Sequence, residues 1–387
     1  MDLELTAGDE GFRAEARDWL AAHVPARPLP SLETREGFAA HREWERVLGR
    51  DRWSAVSWPA GYGGRGASLL RWLLFEEEYW AAGAPGRVAQ NGIALLAPTL
   101  LAHGTAEQRA RVLPPMARGE VVWAQAWSEP EAGSDLAGLR STARRTTGGW
   151  LLTGHKTWSS RAAFADRAFG LFRSRPPAER PHQGLTYVMF ALDAPGVTIR
   201  PIARLDGRPA FAEIFLDEVF VPDEDVIGRA HDGWRVAMST AGDERGLTLR
   251  SPGRFTAAAR RLAASWRERA DPADTALRDR VAGVLALAHA YRLFGYAAAC
   301  RSASGAPPVA AASLNKVFWS QLDLALHETA LDLLGPQGEL ADRAAEAPDG
   351  WAEGYVFALA GPIYAGTNEI QRDIIAERLL GLPKGRR

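Results

Sequence analysis

Two short segments of this 387-residue chain close on the same pairing of an indole with hydroxyls, Trp127-Ser128 and Trp158-Ser159-Ser160. An indole can wall one face of a planar ring, and neighbouring hydroxyls can bond the ring's polar edge. The plainer use of such a serine is local hydrogen bonding in a turn. Farther on, 242-GDERGLTL-249 sets two adjacent carboxylates, Asp243 and Glu244, in front of Arg245. A helical carboxylate commonly pairs with an arginine such as Arg245 or Arg250, but a positioned one can take a proton from carbon. Near the C-terminus, Gly366-Thr367-Asn368-Glu369 reads as the start of a helix. Its unpaired N–H groups and partial positive charge suit a pyrophosphate, while capping is the plainer use of Thr367. Metal and thiol chemistry find no support. His103, His155 and His289 lack ligand spacing, so no metal is expected. The single cysteine, Cys300, excludes an intrachain disulfide framework and reads as a buried, inert thiol in an alanine-rich helix.

Three zones of different period must position these groups, an α+β multidomain plan. Residues 1–119 form an N-terminal helical domain, with apolar residues three and four apart over Asp9 to Ala22, Phe38 to Gly49, Leu69 to Ala82 and Ile93 to His103. Thr105-Ala106-Glu107-Gln108 matches a capping box and opens a further helix. Residues 120–229 change to short strands without intervening helices, which predicts a middle antiparallel β-barrel. Gly148-Gly149 marks a hairpin there. Residues 230–387 return to long helices, about 232–249, 254–270, 274–303, 309–334 and 368–381, and predict a C-terminal helical bundle. The connection 335–350 is long and turn-rich, as functional loops often are. The arginines of 254–270 read as a solvated face, and Asn315 and Lys316 as packing residues.

The balance of 46 basic against 47 acidic residues gives a formal charge of −1, with no field to attract nucleic acid or an acidic membrane. The 14 Trp residues fit a Trp-rich core. The N-terminus is acidic, without the basic and apolar regions of a secretory signal, and no stretch approaches the roughly 18 apolar residues of a membrane span. A cytoplasmic location is expected.

The segments 127-WSEPEAGSDLAGL-139 and 364-YAGTNEIQRDIIAERLLGLP-383 resemble the signatures of the acyl-CoA dehydrogenase family. Zone order and lengths extend the resemblance over essentially the whole chain. It implies an FAD enzyme that oxidises an acyl thioester, on CoA or an acyl-carrier protein, to the 2,3-enoyl form. Electrons would pass to an electron-transfer flavoprotein or similar acceptor. By the same resemblance, Trp127, Ser128, Ser159 and Ser160 lie at the isoalloxazine edge, Trp158 covers the ring and Thr367 meets the FAD phosphates. Ser134, Arg245, Tyr364 and Gly366 would lie along the substrate. A homodimer or homotetramer is implied, with a heteromer as the alternative.

Two departures from the family pattern stand out. Many members carry the base, a glutamate, immediately before the C-terminal Gly-Thr, where this chain has Ala365. A second family location lies on the first bundle helix just before an arginine, which makes Glu244 the candidate base and Asp243 the fallback. That arrangement hints at bulky, branched or long acyl groups. The backbone N–H of Ala365 keeps the oxyanion-donor role implied by the family, alongside a ribityl hydroxyl of FAD. The second departure concerns the motifs that usually reach the adenosine half of FAD across a dimer. Residues 274–286 and 333–340 hold neither intact. The rival readings are an acyl-CoA oxidase or flavin-dependent monooxygenase on this scaffold, and a non-catalytic sister subunit of a heteromeric enzyme.

Overall fold

The computed structural model describes residues 4–177, 179–245, 247–269, 271, 273–303, 311–339 and 350–384. The chain opens with α1 (Ala7–His23), α2 (Arg35–Arg50) and α3 (Leu69–Ala81). A π-helical segment (Asn91–Leu96) then runs into α4 (Ala97–His103), followed by α5 (Ala106–Ala117). The strands are β1 (Trp123–Ala126), β2 (Thr142–Thr146), β3 (Gly149–Lys156), β4 (Arg167–Arg173), β5 (Leu185–Ala191), β6 (Val197–Ile202), β7 (Phe211–Pro222) and β8 (Val226–Ile227). The remainder is helical: α6 (Gly233–Glu244), α7 (Pro252–Arg269), α8 (Thr275–Ala303), α9 (Ala311–Leu334), α10 (Pro336–Glu339), α11 (Trp351–Ala358) and α12 (Asn368–Ile374). A second π segment, Ile375–Leu379, follows α12.

Helix starts follow local chemistry. Thr6, Thr34, Ser68 and Thr105 each accept the N–H three residues on, and Thr105 with Gln108 forms the expected capping box. The helix expected over Ile93 to His103 instead begins as a π segment, in which the Ala97 N–H bonds Gly92 O five residues back. Pro98, at the second position of α4, brings no N–H and crowds the carbonyl four residues earlier, which favours the wider turn. The helix expected over 232–249 ends at Glu244, and a short 3-10 turn follows at Leu247–Leu249. Of the loop expected at 335–350, Pro336–Glu339 is helical and residues 340–349 lie outside the described residues.

By contacts the chain divides into two compact units. One comprises Ser31–Gly66 and Gly86–Glu244, joining α2, α4, α5 and α6 to all eight strands. Its sheet runs β6-β7-β3-β2-β4-β5-β8, with β1 pairing only β4. Two expectations for this region are corrected. The sheet is open, because the outer strands β6 and β8 do not pair and β8 is only two residues long before the chain leaves it. It is also not wholly antiparallel, since β1 and β2 both run parallel to β4. The hairpin at Gly148 is present, with Thr146 opposite Gly149 and Gly148 at φ 73°. Leu152, Phe172, Phe190, Ile214 and Val221 are among the residues that fill the core on this sheet.

The other unit comprises Met1–Pro30, Ala67–Pro85 and Arg245–Arg387. Here α1 and α3 pack together, tied by Arg13 and Arg17 to Glu78, and α3 packs on α7. Helices α7, α8 and α9 form the bundle around Phe255, Leu262, Tyr291, Trp319 and Leu326. Among the described residues, one helix, α8, is long and apolar enough to cross a membrane by length and mean hydropathy. It packs against α7 and α9, the ordinary use of such a helix in a bundle, but Cys300, expected to be buried, is exposed in its last turn.

Candidate active site

The two indole–hydroxyl segments come together at one end of the sheet. The Thr157 N–H donates to Ser128 O at 2.9 Å, locking the residues after β1 to those after β3. Beneath this junction lies a fully buried ammonium, Lys156 Nζ. It donates to Glu129 Oε1 (2.8 Å), Leu171 O (2.8 Å) and Trp127 O (3.3 Å). Glu129 in turn accepts the backbone N–H groups of Arg140 (2.6 Å) and Ser141 (2.9 Å). Burial pushes Lys156 down to about 8 against the pull of Glu129. Burial works to raise Glu129, but the ammonium and the Arg140 N–H outweigh it and hold the carboxyl below its ordinary range. The first acid of the SEPEAGSD segment, Glu129, is therefore committed to the scaffold.

Above the junction, Trp158 sits in the left-handed region at φ 59° with its indole 60% exposed, edge-on to Phe211. Ser159 exchanges both backbone hydrogen bonds with Ala212, while its buried Oγ has no hydrogen-bond partner among the described residues. Ser128 and Ser160 are half-buried, and Trp127 is buried. Ser134 is exposed on the following loop, with no hydrogen bond among the described residues. Glu244, half-buried, ends α6 in this same unit. Burial raises its neighbour Asp243 to about 7, and no hydrogen bond or ion pair to Asp243 is found among the described residues.

The bundle unit holds the rest. Between α11 and α12 the chain turns through two successive left-handed residues, Ala365 (φ 57°) and Gly366 (φ 76°). Side chains tether this turn on all sides. Gln371 Nε2 donates to Ala365 O and Gly366 O at 3.3 Å each, and Arg245 donates to Gln371 Oε1 at 3.4 Å. Buried Lys316 donates to Pro362 O (3.0 Å) and Asn368 Oδ1 (2.8 Å), and the Asn368 N–H returns to Pro362 O. Arg250 reaches Tyr364 OH at 2.8 Å, and the Tyr364 ring stacks on Trp319. Thr367 is the N-cap of α12, accepting from the Ile370 N–H. The Ala365 N–H makes no hydrogen bond among the described residues.

Several of these tethers escaped sequence reasoning. Lys316 and Asn315 read as packing residues, yet Lys316 clamps the turn and Asn315 Nδ2 bonds Arg245 O at 2.8 Å. The signal was available, because two fully buried polar side chains in an apolar helix need polar partners.

Family models for the N-terminal, middle and C-terminal domains of acyl-CoA dehydrogenases match residues 6–120, 124–219 and 231–380. The acyl-CoA dehydrogenase IpdE1 of Mycobacterium tuberculosis is 37% identical over 386 residues, covering 97% of this chain and 98% of the relative. The chain belongs to the acyl-CoA dehydrogenase family. A solved structure named Tcur3481-Tcur3483 steroid ACAD superposes with TM-score 0.87 at 27% identity, over all of both chains. The ChsE4-ChsE5 complex of Mycobacterium tuberculosis gives TM-score 0.83 at 30% identity, again over all of both chains. As a member the protein is an oxidoreductase and flavoprotein that uses FAD, with acyl-CoA dehydrogenation as its general reaction. The strand ends fit the isoalloxazine half of that cofactor. They offer an exposed indole face, half-buried hydroxyls at Ser128 and Ser160, and a buried Ser159 hydroxyl without a partner among the described residues.

Proposed function

We propose that this acyl-CoA dehydrogenase removes the α-proton of its substrate with Glu244 and stabilises the resulting enolate with the N–H of Ala365. The observation that carries the reading is that N–H, which has no hydrogen-bond partner among the described residues, on a strained and tethered turn whose side chain can take no proton. A preorganised donor aimed at developing negative charge is a large catalytic contribution. Tyr364 and Gly366 flank the donor and would line the thioester, as would Arg245 and Ser134. Ser128, Ser159 and Ser160 would hydrogen-bond the flavin edge, Trp127 would back it and Trp158 would cover the ring. Thr367, the N-cap of α12 beside the Glu369 carboxylate, would meet a phosphate of FAD. FAD held by these residues would supply the acceptor for the β-hydride, and an electron-transfer flavoprotein or similar acceptor would take the electrons onward. The test is Glu244→Gln, assayed with acyl-CoA and an artificial acceptor. Loss of at least about a hundredfold in kcat, with 450 nm flavin absorbance retained, is expected for a general base. Turnover near the parent rate would assign the proton to another group, Asp243 first.

The acyl group is proposed to be bulky and polycyclic. This rests on the relatives' printed description as a steroid enzyme and on the placement of the base at 244. A panel running from straight-chain to steroid-derived acyl-CoA thioesters tests it, and preference for short straight chains would overturn it.

A second reading concerns assembly. Two of the similar structures are named as pairs of different proteins, and this chain lacks both segments that usually meet the adenosine half of FAD. A heteromer sharing flavin between different subunits follows. The protein purified alone would then be folded but poor in flavin, whereas a full complement of FAD in a homo-oligomer would overturn the heteromer.

A further inference from the structure

A line of buried hydroxyls crosses the sheet unit from the flavin-edge strand to the helix that ends in Glu244. Trp127 Nε1 lies 3.3 Å from Tyr187 OH, which lies 3.3 Å from Thr240 Oγ1. Thr240 Oγ1 lies 2.6 Å from Thr99 Oγ1, which lies 2.7 Å from Leu95 O. Tyr187, Thr240 and Thr99 are completely buried. Thus the residue that follows β1, together with β5, α6, α4 and the first π segment, meets in one chain of hydrogen bonds.

One set of proton positions runs head to tail along the whole line. The Leu95 carbonyl can only accept, so the Thr99 proton points to it. The short contact between the threonines needs a proton, which Thr240 must supply. Thr240 also lies 3.2 Å from Val236 O, the longer of its acceptor contacts. Its oxygen is then free to accept from Tyr187, whose oxygen accepts from the indole N–H, a donor only. Burial raises the Tyr187 phenol well above its ordinary range, so the proton stays. Four bonds aligned head to tail polarise one another, and each break leaves a buried polar group unsatisfied.

We propose that Tyr187 and Thr240 are positioning residues for α-proton abstraction, fixing the register of α6 against β1 and β5 and so placing Glu244. The inference rests on the assignment of Glu244 as base. Apolar packing would hold α6 close but would tolerate sliding and rotation, whereas a hydroxyl at Thr240 accepts only one register. A slip of one helical residue moves the helix end by about 1.5 Å and turns it by about 100°. A misplacement of about 1 Å at a reacting group can cost roughly a hundredfold in rate. The N-terminal end of α6 is pinned separately: a Cβ on Gly233 would stand 2.6 Å from Tyr187 N. Helix, strand and hydroxyl chain thus locate the last turn from both ends.

The test uses the FAD-loaded enzyme in whatever assembly carries its activity. Tyr187→Phe keeps the ring and loses the hydroxyl, while Thr240→Val keeps the shape. Both are expected to lower kcat roughly tenfold to a hundredfold, leaving KM and 450 nm absorbance unchanged. The kinetic isotope effect with α-deuterated substrate should rise as proton abstraction becomes slower, a change that loss of stability alone does not produce. Thr240→Ser should restore both. Parent values of kcat and isotope effect in Tyr187→Phe and Thr240→Val, with Glu244→Gln inactive, would overturn the positioning role and leave the base assignment standing. An active Glu244→Gln would overturn both. Where Tyr187→Phe fails to fold, the contrast between Thr240→Val and Thr240→Ser decides.

Discussion

Each unit buries a lysine beneath residues of the candidate site, and the two do different work. Lys156 faces a carboxylate, Glu129, and fastens two strand ends whose course the sheet register already sets. Lys316 bonds a backbone carbonyl and the Asn368 amide oxygen, and helps fasten a turn with two left-handed residues and no ladder to hold it. A ring-binding surface can thus be specified by strand pairing plus one ion pair. An isolated donor such as the Ala365 N–H needs a surrounding set of side-chain tethers. The second construction depends on more residues, but each of them carries less.

The largest expected effect is on the strand-end lysine. Lys156→Met leaves Glu129 charged and buried, a loss of about 3–5 kcal/mol for a broken buried pair. Urea unfolding should show it, together with loss of flavin absorbance, and an unshifted midpoint would erase the contrast between the two lysines. Lys316→Met leaves the neutral acceptors Pro362 O and Asn368 Oδ1 without this donor and should cost on the order of 2 kcal/mol. It should lower kcat while flavin remains bound, because the affected turn carries the donor. Equal losses in the two variants would mean that the charge on Glu129 does not matter.

Asp243 sharpens the point about uncompensated burial. Its folded value of about 7 lies above the ordinary 3.8, so between these values the unfolded chain has released a proton that the folded chain keeps. Its contribution is therefore fully present below about 4 and falls as pH rises toward 7. Asp243→Asn is neutral throughout and should gain in Tm over the parent on going from about pH 5 to about pH 8. A constant Tm difference would show the side chain to be solvated. The smallest effect is at the turn itself. Ala365→Gly relieves a left-handed residue but adds freedom to the unfolded chain, so stability should change by less than about 1 kcal/mol. Turnover should persist, since the N–H is unaltered, and a dead Ala365→Gly enzyme would show that the methyl group matters.

Much of this architecture is legible in sequence, for identifiable reasons. Helices α1, α3, α7 and α8 lie within two residues of the expected limits, because their caps and apolar stripes are local features. Closure of the sheet is not local. Alternation marks strands but not which edges pair, so the sharing of one β4 edge by β1 and β2 could not be seen. At the site, indole and hydroxyls stand nearly contiguous and are visible as a motif. The Glu129–Lys156 pair spans 27 residues, and a lysine in an alternating strand reads as solvent-facing. The left-handed Ala365 is equally silent, since alanine carries no sign of the backbone it adopts.

The π segment at Asn91–Leu96 bears on which length variants of this protein can survive. A π turn is an α-helix with one residue inserted, so deleting a residue there would leave a perfectly good α-helix. It would also rotate the flanking helical residues by about 100° relative to one another. With Trp123 and Met116 crowding Gly92 on one side and Thr99 engaged with Thr240 on the other, both flanks cannot keep their partners after that rotation. The extra residue therefore behaves as a spacer of fixed size, and natural insertions or deletions should fall in the loops before or after it.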